Sequence, residues 1–219
     1  MIDASFADRF DAGRELAKRL TSYREQKDTV VLALPRGGVP VAYEVATRLR
    51  LPLDVFIVRK LGVPGYEELA MGALASGGLR VLNEELLVQL PHARELVEKV
   101  TVRESAEIER REREYRDGRP PRPLEACTVI LVDDGVATGA TMRAAVQALR
   151  RQNVAKVVVA FPVGAPQTCA ELNKEADETV CISQPDSFYA VGQYYRDFSQ
   201  ITDQEVRQLL AAAAPDPSF

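Results

Sequence analysis

Apolar residues along this chain come in short runs and in helical stripes, and the two alternate. Val30 to Leu34 is an uninterrupted apolar run that stops at Pro35-Arg36-Gly37-Gly38, the pattern of a strand buried on both faces and ending in a glycine turn. Val41, Val45, Ala46 and Leu49 then recur at helical spacing, and Leu53 to Val58 is a second apolar run, completing a β-α-β unit. The pattern returns downstream as a strand over Thr128 to Val132, a helix over Thr141 to Arg151, a strand over Lys156 to Phe161, a helix over Gln167 to Ala176 and a strand over Thr179 to Ser183. Such alternation predicts an α/β fold with a mainly parallel five-stranded sheet flanked by helices.

Three stretches stand outside this alternation. Residues 62–78 hold Gly62, Gly65, Gly72, Gly77, Gly78 and Pro64 with weak periodicity, which predicts a long mobile loop over about 60–80. A helical region from Asn83 to Asp117, interrupted at Pro91, becomes dominated by Glu and Arg over 92–117. There Glu95/Lys99, Glu107/Arg111, Glu109/Arg113 and Glu112/Arg116 place the acid four residues before the base, so the segment reads as a solvated helix and not a nucleic-acid patch. Pro120, Pro121 and Pro123 end it. From Gln184 the chain carries Phe188, Tyr189, Tyr194 and Tyr195 and then a helix over Thr202 to Ala213, a small C-terminal lobe (184–219) appended to a core of residues 1–183.

Composition narrows the class. With 46% hydrophobic residues the 219-residue chain fills one core, and 27% charged residues with a net charge of −4 argue against disorder and against a nucleic-acid surface. No apolar run approaches the roughly 20 residues a bilayer needs, and Asp3, Asp8, Arg9 and Asp11 interrupt any signal-peptide core, so the expectation is a cytoplasmic protein without membrane contact. Cys127, Cys169 and Cys181 are too few and too widely spaced for a disulfide framework or a CxxC metal site and are expected to be buried free thiols. The single histidine, His92, excludes a multi-histidine metal site and is expected at the surface.

Chemistry concentrates at strand ends, where open α/β sheets bind ligands. The run Asp133-Asp134-Gly135-Val136-Ala137-Thr138-Gly139-Ala140-Thr141 delivers two adjacent carboxylates to a strand edge and follows them with small residues leading into a helix. Backbone N–H groups of such a loop wrap a phosphate, Thr138 and Thr141 add hydroxyl donors, and the carboxylates suit ribose hydroxyls or a hydrated Mg²⁺. No GxxxxGK[ST] occurs, and no GxGxxG follows a strand.

This stretch resembles the 5-phosphoribosyl-1-pyrophosphate (PRPP) motif of type I phosphoribosyltransferases, and 186–192 resembles a group of uncharacterised bacterial proteins related to them. The resemblance implies the type I fold with a C-terminal hood, and transfer of the phosphoribosyl group of PRPP to a nitrogenous acceptor, such as a purine or other base. Pyrophosphate would leave with inversion, Mg²⁺ would be the cofactor and the assembly a homodimer. It assigns PRPP binding to Asp133, Asp134, Gly135, Val136, Ala137, Thr138, Gly139, Ala140 and Thr141, and to Arg36, Gly37 and Gly38 as the pyrophosphate loop, with a cis Pro35–Arg36 bond that turns their three amides to one side. Arg59 and Lys60 would neutralise departing pyrophosphate. Ala137 stands where enzymes acting on 6-oxopurines carry an aspartate, so the loop is closest to the adenine type and Glu67 or Glu68 is the analogous acid-base group. Catalysis thus falls to Asp133, Asp134, Lys60, Glu67 and Glu68, metal contact through water or PRPP hydroxyls to Asp133 and Asp134, and acceptor stacking to Phe188 or Tyr189. Gly135 replaces the family's usual bulky apolar residue. The alternative is a PRPP- or nucleotide-sensing regulator without transfer activity.

Overall fold

The computed structural model describes residues 6–213. In chain order the elements are α1 (Arg9–Arg19), β1 (Thr29–Ala33), α2 (Gly38–Leu49), β2 (Leu53–Val55), β3 (Val58–Val63), β4 (Tyr66–Ala75), β5 (Leu79–Leu82), α3 (Glu84–Leu87), α4 (Ala93–Tyr115), β6 (Thr128–Val132), α5 (Ala140–Arg150), β7 (Lys156–Val163), α6 (Pro166–Glu175), β8 (Glu178–Ser183) and α7 (Asp203–Ala212). The five apolar runs form one parallel sheet in the order β2-β1-β6-β7-β8. Both faces of its centre are dry. Ile130 and Val132 pack with Leu16 of α1 and Val41 and Val45 of α2, while Val129 and Leu131 face Met142, Ala145 and Leu149 of α5 and Leu172 of α6. Burial on both faces is why these strands read as continuous apolar runs rather than alternating ones.

Helix α1 was not anticipated by the strand-helix pattern, although its signals are in the chain. Asp8 caps it by accepting the Asp11 N–H (2.7 Å), and Ala12, Leu16, Ala17 and Leu20 form its buried stripe.

The segment expected as a mobile loop is instead an antiparallel ribbon, β3-β4-β5. Pro64 and Gly65 make the tight turn between β3 and β4, with Gly65 at φ 84°, and register shifts at Leu61–Val63 bend the strand. Leu61, Met71 and Leu74 are fully buried, packing into the same cluster as Val97, Val100 and Ile108 of α4. Glycine-rich composition hid a strand whose apolar positions pack against a helix distant in sequence.

The charged helix α4 is therefore half a brace and half solvated. Two of the four expected pairs form, Glu107–Arg111 at 2.6 Å on the partly exposed side and Glu112–Arg116 at 3.3 Å at the buried end of the helix. Its inner face holds buried Glu104 against Arg59 of β3 (2.8 Å), and Arg116 at its end is buried on Asp54 of β2 (2.8 Å) and the Val55 carbonyl (3.0 Å). His92 lies exposed at the start of α4, Cys169 is buried, and Cys127 and Cys181 are half-buried free thiols. In the C-terminal lobe Phe188, Tyr194, Tyr195 and Phe198 gather with Phe6 and Val163 in a separate aromatic cluster. Among the described residues no helix is long and apolar enough to cross a membrane.

Ladder pairing makes a prediction for the ribbon. Amides over 58–63 and 70–75 should be protected from hydrogen exchange in the ligand-free protein; exchange there as fast as in an unstructured peptide would contradict the ribbon.

Candidate functional site

β1 and β6 pair from Thr29/Thr128 to Ala33/Val132, so they end at one height and the segments after them lie side by side. From this point the chain leaves β1 toward β2 and β6 toward β7, opening the crevice in which α/β sheets hold ligands.

The turn after β1 has its Pro35–Arg36 bond cis, as the resemblance implied. Leu34 N–H donates to the Val132 carbonyl (2.9 Å), tying the turn to β6. Gly38 N–H donates to the Leu34 carbonyl (3.1 Å), so of the three amides expected to face a ligand this one is committed to the turn. Gly37 has no room for a side chain, since a Cβ there would lie 2.0 Å from Asp134 Oδ2. The Arg36 guanidinium is directed toward α7, with Nη1 3.9 Å from Asp203 Oδ1, and the Tyr115 hydroxyl of α4 donates to that same oxygen.

The loop after β6 is pinned from outside. Ala165 N–H donates to the Val136 carbonyl (3.0 Å), and Thr168 Oγ1 donates to the Ala137 carbonyl (2.6 Å). A trans peptide opposes its C=O to the following N–H. Carbonyls held outward therefore turn the N–H groups of Ala137 and Thr138 inward, at the N-terminus of α5, where the helix dipole favours an anion. Over the loop lies a cavity of about 160 Å³ lined by Asp133, 135–142 and Val191. A second, of about 300 Å³, adjoins it at Thr138, Ala140 and Thr141 and runs under the ribbon past Lys60, Asn83 and Arg143.

The two carboxylates differ. Asp133 is half-buried, lines the loop cavity and accepts the Asp134 N–H (2.8 Å). Asp134 is bound by Arg9 of α1, whose Nε lies 2.7 Å from Oδ2, and its carbonyl accepts the Tyr195 hydroxyl (2.5 Å). Burial pushes Asp133 well above the ordinary carboxylate range and the neighbouring charge of Asp134 adds to it. Burial also raises Asp134, opposed by Arg9. Tyr195 is raised by burial first and by Asp134 second.

Other expected site residues divide. Arg59 and Lys60 are consecutive on β3 and face opposite ways, so Lys60 borders the cavity while Arg59 is turned onto Glu104. Arg59 is thus engaged by Glu104 and lines neither cavity. Glu67 sits at the ribbon turn, accepting the Gly65 N–H (3.2 Å), and lines neither cavity. Glu68 lies in β4, and its side chain is outside the described residues. Phe188 stacks on Tyr194 (ring centroids 5.6 Å apart), so one of its faces is engaged, whereas Tyr189 is 81% exposed. Gly135 is accounted for by packing: a Cβ there would lie 2.4 Å from Cγ1 of Val191, which fills the space a bulky residue would take. Arg9, Thr168, Val191 and Tyr195 shape the site without any local motif to announce them.

The chain matches the phosphoribosyl transferase domain family over residues 5–199, nearly its whole length, and belongs to that family. Curated proteins of two Mycobacterium tuberculosis strains, named provisionally as phosphoribosyl transferases, are 47% identical over 211 residues. That span is 96% of this chain and 47% of theirs, so the chain spans about half the length of these relatives. The crystal structure of TT1426 from Thermus thermophilus is 42% identical, with a TM-score of 0.83 over 96% of this chain and 99% of that one. A Neisseria gonorrhoeae protein solved with bound ppGpp shares the fold at 13% identity and a TM-score of 0.51, covering 94% and 93% of the two chains.

The buried like charges yield a thermal prediction. Because the folded-state pKa of Asp133 is raised, ionised Asp133 opposes folding at neutral pH, and the penalty fades as pH falls through that pKa. Asp133→Asn should therefore raise the melting temperature at neutral pH by about 2–4 °C per kcal/mol relieved, with the gain shrinking on acidification. A lowered melting temperature at neutral pH, measured by calorimetry, would contradict it.

Proposed function

We propose that this chain binds PRPP in the crevice between the turn after β1 and the loop after β6 and transfers its phosphoribosyl group to a nitrogenous base, releasing pyrophosphate. The observation that carries this reading is the pinned loop: inward N–H groups at the start of α5, with Asp133 beside them, offer phosphate and ribose contacts in one cavity. The 5′-phosphate lies on Ala137 to Thr141 with hydroxyl help from Thr138 and Thr141, and Asp133 accepts from the ribose hydroxyls. The turn at Arg36 and Gly37 receives the pyrophosphate, and Lys60 meets the negative charge that develops as it departs.

No group of three or more His, Cys, Asp or Glu side chains gathers into a metal cage among the described residues. A half-buried carboxylate at an anion loop nevertheless suits a cation that takes its remaining oxygens from a bound phosphate ester and water. Mg²⁺ held by Asp133 through PRPP hydroxyls or water, with Asp134 behind it, would supply charge screening of the pyrophosphate. The chain's own residues align C1 with the acceptor and exclude water. In the adenine-type reading Glu67 or Glu68 is the acid-base group, Glu67 reaching the acceptor base through movement of the ribbon turn, and Tyr189 supplies a free ring face for stacking. The protein acts as a homodimer in the cytoplasm and engages neither nucleic acid nor membrane.

Purified protein incubated with radiolabelled PRPP, MgCl₂ and a panel of purine and pyrimidine bases should yield a labelled nucleotide and pyrophosphate. Lys60→Met should lower kcat/KM by about 10²–10³-fold. Tight PRPP binding without turnover on any base would instead fit the sensing role, and no PRPP binding at all would overturn the reading.

A further inference from the structure

We propose that Thr168, at the start of α6 and outside the loop that meets the ligand, is the positioning residue of the phosphate subsite: its hydroxyl and its methyl group together set the backbone amides that take the 5′-phosphate. This role rests on the reading of the crevice as a PRPP site. It acts on one end of the ligand only, because the pin holds the loop after β6 and not the turn after β1.

Thr168 stands 31 residues beyond Ala137, is 6% exposed and lines neither cavity. Pro166 fixes where α6 begins, and Thr168 follows in the first turn of that helix. The segment leading there is already bonded to the loop as an extension of the sheet. Val136 N–H donates to the Val163 carbonyl (2.9 Å), and Ala165 N–H returns to the Val136 carbonyl (3.0 Å). At the next residue a side chain takes over from the backbone, with Thr168 Oγ1 donating to the Ala137 carbonyl (2.6 Å). Among the described residues the N–H groups of Ala137, Thr138 and Gly139 donate to no protein acceptor, which leaves them for an anion.

The methyl group makes a second contact. Gly139 has φ 74°, and a Cβ there would lie 2.6 Å from Thr168 Cγ2. A threonine in a helix can turn its hydroxyl to the carbonyl four residues back. Cγ2 seated on Gly139 instead holds the rotamer that aims Oγ1 at Ala137. Arg143 of α5 keeps α6 beside the loop, with Nε 2.7 Å from Glu175 and Nη1 3.3 Å from Glu171. Loss of the hydroxyl frees the Ala137 carbonyl to rotate, and the Thr138 N–H on the same peptide plane turns with it.

The test compares Thr168→Val, Thr168→Ser, Gly139→Ala and the double variant G139A/T168S with the wild type. Each is titrated calorimetrically with ribose 5-phosphate, PRPP and pyrophosphate in MgCl₂. Thr168→Val, which keeps the shape and loses the donor, should bind ribose 5-phosphate and PRPP about tenfold more weakly and pyrophosphate as the wild type does. Thr168→Ser, which keeps the donor, should stay within about threefold of the wild type for all three ligands. Gly139→Ala should weaken ribose 5-phosphate, and adding Thr168→Ser should recover part of that loss, because the methyl group the new Cβ meets is gone. Thr168→Val with wild-type affinity for ribose 5-phosphate would overturn the proposal, as would equal losses for ribose 5-phosphate and pyrophosphate. Should Thr168→Val not fold, Gly139→Ala and G139A/T168S decide, and no recovery in the double variant overturns the role. A wild type that binds neither ribose 5-phosphate nor PRPP sinks the reading of the site and the positioning role with it, whereas a wild type that binds both beside an unaffected Thr168→Val sinks the positioning role alone.

Discussion

The pairing of β1 with β6 at the centre of the sheet is the constraint on which the site depends. Five register pairs bring both strands to a common end, and only then do the turn at Pro35 and the loop at Asp133 become neighbours. Hydrogen bonds continue the ladder beyond the strands: Leu34 N–H reaches Val132, and Asp133 N–H reaches Ala160 of β7 (3.3 Å). The polar loops are thereby fixed by the same backbone bonding that holds the apolar core. A side chain on either loop inherits the rigidity of a sheet buried on both faces, which is what binding a ligand in one geometry requires.

Around that centre the outer elements are tied by charge. Arg9 joins α1 to the loop after β6, Arg116 joins the end of α4 to β2, and Glu104 joins α4 to the ribbon. Each pair has a buried partner and spans elements far apart in sequence. Such pairs add less stability than an apolar replacement of similar shape but enforce one docking geometry, since a displaced partner strands a buried charge. Asp203 extends the scheme, with Tyr115 of α4 and Arg36 of the turn converging on one carboxylate of α7.

What was legible in the chain follows from this division. Strands buried on both faces announce themselves as apolar runs, and the helices between them keep a 3.6-residue stripe, so the sheet and the loop at Asp133 could be read directly. The ribbon could not. Tyr66 to Ala75 is rich in Glu, Ala and Gly, residues of poor strand propensity, and its buried positions Met71 and Leu74 pack in a cluster with residues of α4, distant in sequence. Helix α1 carried a cap and a stripe that were legible but unread. Arg59 and Lys60 looked equivalent because a sequence does not show which face of a strand meets a helix. Arg9 stands 125 residues from Asp134, and nothing near it in the chain distinguishes it from any helix-start arginine.

The placement of Lys60 shows why the ribbon matters to the site. Were β3 a floppy loop, ordering a lysine there around any anion would consume binding energy. Held in register against Ala73 of β4 and backed by the Arg59–Glu104 pair, the strand sets Lys60 at the border of the cavity. Arg59 anchors one face of β3 on Glu104, so that the other face points at the loop. The far end of the ribbon, the turn at Pro64 and Gly65, is its exposed part, where Glu67 accepts the Gly65 N–H and Tyr66 is 74% exposed.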